Sequence, residues 1–163
     1  MIIAIGMDPG PTPGLVKLTY ALDQLMDVHV VQCSSNSAFD ILELWLRGVP
    51  AKAELYFQAE KFVIGTKSYR SGSPGARTRD MVGSAATLAN THLSNGAPTG
   101  QVCLRTAAVA KAWATDIRLG RTGLLDETKG MTHARDAARH ALYTACKEGN
   151  IPDPLSRKAK RHG

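Results

Sequence analysis

Apolar positions recur in two rhythms along this chain, and the changes between them mark out its elements. Ile2 to Met7 is a short continuous apolar run that breaks at Asp8-Pro9-Gly10, as a buried strand entering a tight turn would. Leu15 to Ala21 alternates, with Leu15, Lys17 and Thr19 on one side and Val16, Leu18 and Tyr20 on the other, while Val28 to Cys33 is β-branched and apolar. These predict second and third strands joined in antiparallel hairpins. A helical period follows, in which Phe39, Ile41, Leu42, Trp45 and Leu46 form one stripe, with Ser37 as the expected cap and Gly48 and Pro50 as the stop. Glu54 to Glu60 resumes as a strand.

The stretch TKSYRSGSPGART, residues 66–78, has no period and is rich in Gly, Ser and Pro, so a loop is expected there, with Lys67, Arg70 and Arg77 making it a basic arm. Met81, Val82, Ala85, Leu88, Ala89 and His92 return to helical spacing between Arg79 and Leu93, and Asn95-Gly96 ends that helix before a short strand from Gln101 to Arg105. Ala107 to Ala114 reads as a helix, residues 116–131 as a connection, and Thr132 as the N-cap of a last helix to Lys147. The order is β-β-β-α-β-α-β-α-α, an α/β chain without internal repeats. Residues 1–150 are the expected domain and 151–163 a basic C-terminal tail ending in SRKAKRHG.

Size and composition, 163 residues with 44% hydrophobic and 21% charged, fit one globular domain. No apolar run approaches the roughly 18 residues of a membrane span, and MIIAIGMDPG lacks the marks of a secretory signal, so a cytoplasmic protein without a membrane partner is expected. Cys33, Cys103 and Cys146 are odd in number and without a C-x-x-C pair, which argues against a disulfide framework and a zinc site. Charge changes the picture more. Lys and Arg number 20 against 14 Asp and Glu, a net charge of +6, and the excess is lopsided: residues 1–60 hold 3 basic and 7 acidic groups, residues 61–163 hold 17 and 7. A basic surface attracts polyanions by releasing their counterions, which makes nucleic acid the leading partner class.

Acids stand out against this basic background. Asp8 ends one apolar strand and Glu60 another, and ionised carboxylates there are costly unless a cation or donor offsets them. If the two strands are neighbours, both acids emerge at one sheet edge; taken singly, each also fits an exposed turn. In THARDAARHALY the small residues Ala134, Ala137, Ala138 and Ala141 form a face for close packing, and His133, Asp136 and His140 lie beside it. His133 and Asp136 can point to where Asp8 and Glu60 would emerge. The alternative is a solvated flank with an Asp136–His140 pair, and His140 stays outside the ligand set. Oxygen donors with one imidazole suit magnesium or manganese better than zinc, and two such ions about 3.5–4 Å apart can drive phosphodiester hydrolysis. Lys67, Arg70, Arg77 and Arg79 follow Glu60 closely enough to grip flanking phosphates, and Arg135 and Arg139 share the helix of Asp136. Phe62 and Tyr69 are the aromatics near Glu60 able to stack on an unpaired base, although Phe62 also fits a core position.

With Asp8 in IIAIGMDPG, Glu60 in LYFQAEKF, and His133 and Asp136 in THARDAARHALY, the sequence resembles the RuvC family of Holliday-junction resolvases over nearly its whole length. The resemblance implies a ribonuclease H-like fold, a five-stranded mixed sheet flanked by helices on both faces. It also implies a homodimeric endonuclease of DNA recombination and repair that cuts opposed strands of a four-way junction. Magnesium, or manganese in its place, would be held as two ions per site by Asp8, Glu60, His133 and Asp136, the implied catalytic set. The family has Asp or His where His133 stands, and Lys111 in TAAVAKAW resembles its lysine after the fifth strand. Where the family typically has phenylalanine three residues after the glutamate this chain has Val63, so the wedge role is open between Phe62 and Tyr69. The compact chain is similar to members carried by bacteriophages, which can cut a wider range of branched DNA and would act in the bacterial host cytoplasm. Two readings from other classes compete. One is a nucleic-acid-binding module without chemistry; the other is an actin-like ATPase-type domain with Asp8-Pro9-Gly10 as its phosphate loop.

Overall fold

The computed structural model describes residues 1–62, 73–95 and 99–156. Strands β1 (Ile2–Asp8), β2 (Gly14–Ala21) and β3 (Gln24–Gln32) are followed by helix α1 (Ser35–Arg47), strand β4 (Glu54–Glu60), helix α2 (Pro74–Ser94) and strand β5 (Thr99–Arg105). Helices α3 (Ala107–Trp113), α4 (Asp116–Arg121), α5 (Leu124–Glu127) and α6 (Thr132–Lys147) complete the chain. The five strands make one mixed sheet in the order β3-β2-β1-β4-β5. β1 pairs antiparallel with β2 and β2 with β3, whereas β4 runs parallel to both β1 and β5.

Alternation along β1 sorts the core into two layers. Ile3, Ile5 and Met7 join Leu55 and Phe57 of β4 against Ala38, Leu42, Trp45 and Leu46 of α1 and Met81, Val82, Ala85 and Ala89 of α2. On the other face Ala4 of β1 and Val16, Leu18 and Tyr20 of β2 meet α6 through Ala137, Ala138, Ala141, Leu142 and Ala145, with Leu119 and Leu124 beside them. Two glycines let α6 settle on that face. A Cβ at Gly6 would lie 2.0 Å from the Ala137 carbonyl oxygen, and one at Gly14 would lie 2.2 Å from that of His133. Helix and sheet touch backbone to backbone at the two points nearest Asp8.

The expected five-stranded α/β architecture is present, and the differences have local causes. β3 begins at Gln24 rather than Val28, because Leu22 and Asp23 adopt left-handed conformations that close a tight hairpin, and a bulge at Met26 lets pairing continue to Asp27 and beyond. Helix α1 is capped by Ser34, whose Oγ accepts from the Ser37 backbone N–H, so Ser37 is inside the helix rather than its cap. Helix α2 begins at Pro74, five residues before Arg79: Ser73 accepts from the Ala76 N–H, and proline suits a first helical turn, so Pro74 to Thr78 are helix and not loop. Residues 116–131 hold α4 and α5 instead of a bare connection, since Leu119 and Leu124 are buried and Gly123 turns the chain with φ +78°.

Thr132 is the first residue of α6 and not its cap. Met131 stands at the cap position without a side-chain hydrogen bond, and Gln32 of β3 does the work from across the fold. Its Oε1 accepts from the backbone N–H groups of His133 at 3.0 Å and Ala134 at 3.3 Å. At the chain's end, Ile151 is buried and Asp153 pairs with Arg118 at 2.8 Å, so the segment after residue 150 begins packed on the body. Residues 157–163, most of the basic tail, lie outside the described residues. Among the described residues no helix is long and apolar enough to cross a membrane.

Candidate active site

Asp8 and Glu60 are the last residues of two neighbouring parallel strands, and both face α6. The pairing of Met7 with Ala59 carries the two acids side by side off the sheet edge. Asp8 is 6% exposed. Its Oδ2 lies 2.6 Å from Nδ1 of His133, which the first turn of α6 holds over Gly14. Burial pushes the Glu60 carboxyl up to about 7, its hydrogen bond and repulsion from Asp8 add to the rise together with Asp136, and Lys111 opposes it.

Asp136, one turn after His133, is held by two cations. Lys111 Nζ of α3 lies 2.7 Å from its Oδ2, and Arg139 Nη1 lies 2.5 Å from its Oδ1. The Lys111 ammonium is held above its ordinary value first by its hydrogen bond to Asp136 and then by attraction to Asp136, Asp8 and Glu60. This lysine therefore touches Asp136 and feels the charge of the other two acids. Arg139 also binds Asp116 of α4 at 2.6 Å, which fixes it as part of the scaffold rather than as a free phosphate grip.

The structure thus brings Asp8, Glu60, His133, Asp136 and Lys111 to one edge. Among the described residues, no three His, Cys, Asp or Glu side chains are disposed as a formed metal site. The donor chemistry nevertheless fits a hard divalent cation: three carboxylates and one imidazole, with a proton raised on Glu60 where a cation would take its place. The acids carry Lys111, Arg139 and His133 as compensating partners.

Other expected residues are placed less directly. Arg77 sits in the first turn of α2 and lines a groove of about 600 Å³ with Gly10, Pro11, Phe39 and Met81, just beyond the turn after Asp8. Arg79 is engaged by Asp80 at 2.6 Å. Phe62 is 36% exposed and belongs to neither core layer, so its core alternative is set aside. Lys67, Arg70 and Tyr69 lie outside the described residues. His140, which the alternative of a solvated flank paired with Asp136, is fully buried and bonds Gln58 instead. The reason is rotation: α6 turns its 140 position onto β4, whose α6-facing side is Glu54, Tyr56, Gln58 and Glu60. That polar alternation in ELYFQAE was the signal available for Gln58. Gln32 had none, because it reaches α6 only through the sheet.

No protein-family model matches the chain, and no curated protein matches it by sequence. Among solved structures, the chain is similar to RuvC of T. thermophilus in complex with a Holliday junction substrate, with a TM-score of 0.50 and 18% identity. The likeness covers 91% of this chain and 97% of that one. At this identity the likeness bears on architecture, and the five-stranded mixed sheet with its flanking helices is a RuvC-like, ribonuclease H-like fold.

Proposed function

We propose that this chain is a divalent-metal-dependent endonuclease that cuts branched DNA, chiefly four-way junctions. The observation that carries the reading is the meeting of Asp8, Glu60, His133 and Asp136, drawn from β1, β4 and α6, at one edge of a RuvC-like sheet. The similar T. thermophilus protein is described with a Holliday junction substrate, and the net charge of +6 suits a polyanion.

Asp8, Glu60 and Asp136 would hold magnesium or manganese, with His133 as a further ligand or as the group that handles a proton beside Asp8. When bound, such ions activate water and stabilise the leaving oxygen of a phosphodiester. The chain's own residues do the rest. Lys111 holds the Asp136 carboxylate and would offer positive charge to a backbone phosphate, and Arg77, which lines the groove beyond Asp8, would grip the strand as it continues. Phe62, exposed just past Glu60, would meet a base, and Tyr69, Lys67 and Arg70 fall in the adjoining sequence. A second copy of the chain would supply the second site that symmetric cutting of opposed strands requires.

The test is cleavage of a labelled four-way junction beside matched fork, flap and linear duplex, with magnesium, manganese or chelator. Paired metal-dependent nicks in opposed arms are expected, and Asp8→Asn should abolish them while keeping or strengthening binding, because a carboxylate that repels phosphate is removed. Binding with no metal-dependent cutting on any substrate would sink the proposal in favour of a non-catalytic binding module.

A further inference from the structure

Most of the seam between α6 and the sheet is lined by small side chains: α6 presents Ala134, Ala137, Ala138, Ala141 and Ala145, all fully buried, whose methyl groups give dispersion contact with little directional preference. Gln32 and Asp8 hold the first turn of the helix. Farther along, the directional contact is that of Gln58 of β4, whose amide donates to Nδ1 of His140 at 2.8 Å, with both side chains fully buried. Gln58 stands opposite Gly6 in the β1–β4 register, and Gly6 is where Ala137 and Ala141 press onto the sheet. The hydrogen bond therefore lies at the level of closest approach. Two residues along β4, about 6.6 Å, lead from it to Glu60, and about one turn back along α6, roughly 6 Å, leads to Asp136.

Stability does not account for this pair. Gln58 Oε1 and His140 Nε2 have no hydrogen-bond partner among the described residues, and each is a cost that an aliphatic pair of similar volume would avoid. Burial pushes the His140 imidazole down to about 4, so the ring is neutral at neutral pH and contributes no ion pair. What the pair does supply is direction, because a hydrogen bond weakens steeply when its donor and acceptor slide off line. We propose that Gln58 and His140 are positioning residues whose buried hydrogen bond locks the axial register of α6 on β4 and thereby sets Asp136 and His133 against Glu60 and Asp8. The consequence for cutting rests on the nuclease reading; the lock itself does not.

The experiment compares Gln58→Leu, His140→Leu and the double variant with His140→Gln, which keeps an amide facing Gln58. Each single leucine strands a buried polar partner and should lower the Tm, whereas the double variant should regain it. Single-turnover cutting of a four-way junction at saturating protein should nevertheless stay depressed in the double variant, on the order of 10- to 100-fold, with junction Kd unchanged. His140→Gln should recover most of the rate. Hydrogen exchange over residues 132–136 should quicken in the double variant and not in His140→Gln. A folded double variant that cuts at the native rate overturns the proposal, as does a His140→Gln rate no better than that of His140→Leu. If the native protein cuts nothing, the nuclease reading alone fails and exchange decides: faster exchange in the folded double variant supports the lock, and native exchange overturns it. Where the double variant does not fold, Gln58→Asn, whose shorter amide breaks the bond while keeping the polarity, takes its place under the same criteria.

Discussion

The two faces of the sheet are packed on different plans. Towards α1 and α2 the contacts are large and interlocking, with Phe57, Leu55, Leu42, Trp45 and Met81 among them. Towards α6 the helix itself offers mostly alanine, with Gly6 and Gly14 letting backbones touch, and on β4 it meets the polar Gln58. The bulky face buries much apolar area per residue far from the acids, whereas on the other face the backbone contacts at Gly6 and Gly14 leave no room for an added side-chain atom. Every acid of the site sits on the second face. The comparison teaches a division of labour, in which one layer holds the fold and the other holds distances.

That division can be broken by matched substitutions. Phe57→Ala removes a fully buried ring from the bulky face and should cost about 3–5 kcal/mol in urea unfolding, with cutting per folded molecule unchanged. Gly6→Ala adds one methyl on the other face, where a Cβ meets backbone at 2.0 and 2.4 Å and no side-chain rotation can relieve it. α6 has to lift, at about 1–3 kcal/mol or more, and cutting should fall about 100-fold even where the protein remains folded. A Phe57→Ala protein that folds but cuts poorly, or a Gly6→Ala protein that cuts normally, would end the comparison.

The same contrast governs how much of the molecule was legible in its sequence. Periodicity within single elements marked every strand, because alternation and apolar runs report burial directly. The placement of Asp8 and Glu60 at one sheet edge was readable because each ends a strand, and that of His133 and Asp136 on one side of α6 because helical spacing displays it. His140 and Gln32 were not. Their partners are 82 and about 100 residues away in sequence, and nothing in their neighbourhoods tells which surface they will meet. The start of α2 was hidden for the opposite reason: Ser73-Pro74-Gly75 has the composition of a loop and the geometry of a helix cap.

Acidity offers a second way to sharpen the comparison, because two groups on the α6 face pull stability in opposite directions. The folded His140 stays neutral down to about 4 while the unfolded imidazole protonates near 6.5, so stability falls as pH drops through that window, by up to about 3 kcal/mol. Glu60 does the reverse. Raised from 4.5 to about 7 by burial and by Asp8, it binds a proton more readily when folded, so its contribution improves as pH falls through that range. Unfolding in chelator should therefore show a shallow slope for the native chain, a steeper acid loss for Glu60→Gln, and a gain on acidification for His140→Leu. Unchanged slopes in both variants would refute the assignment.

The smallest expected effect is the sharpest discriminator, because it compares two caps of similar strength. Ser34 caps α1 on the bulky face through the Ser37 N–H at 3.3 Å, and Gln32 caps α6 on the other through the N–H groups of His133 and Ala134. Removing either to alanine should cost about 1 kcal/mol, the usual worth of a cap. The Ser34→Ala loss should appear in unfolding alone. The Gln32→Ala loss frees the turn that holds His133 over Asp8, so cutting should also fall several-fold and the metal concentration for half-maximal rate should rise. Equal effects on cutting from the two caps would show that the site is not coupled to the α6 face, and that the tight packing there serves stability alone.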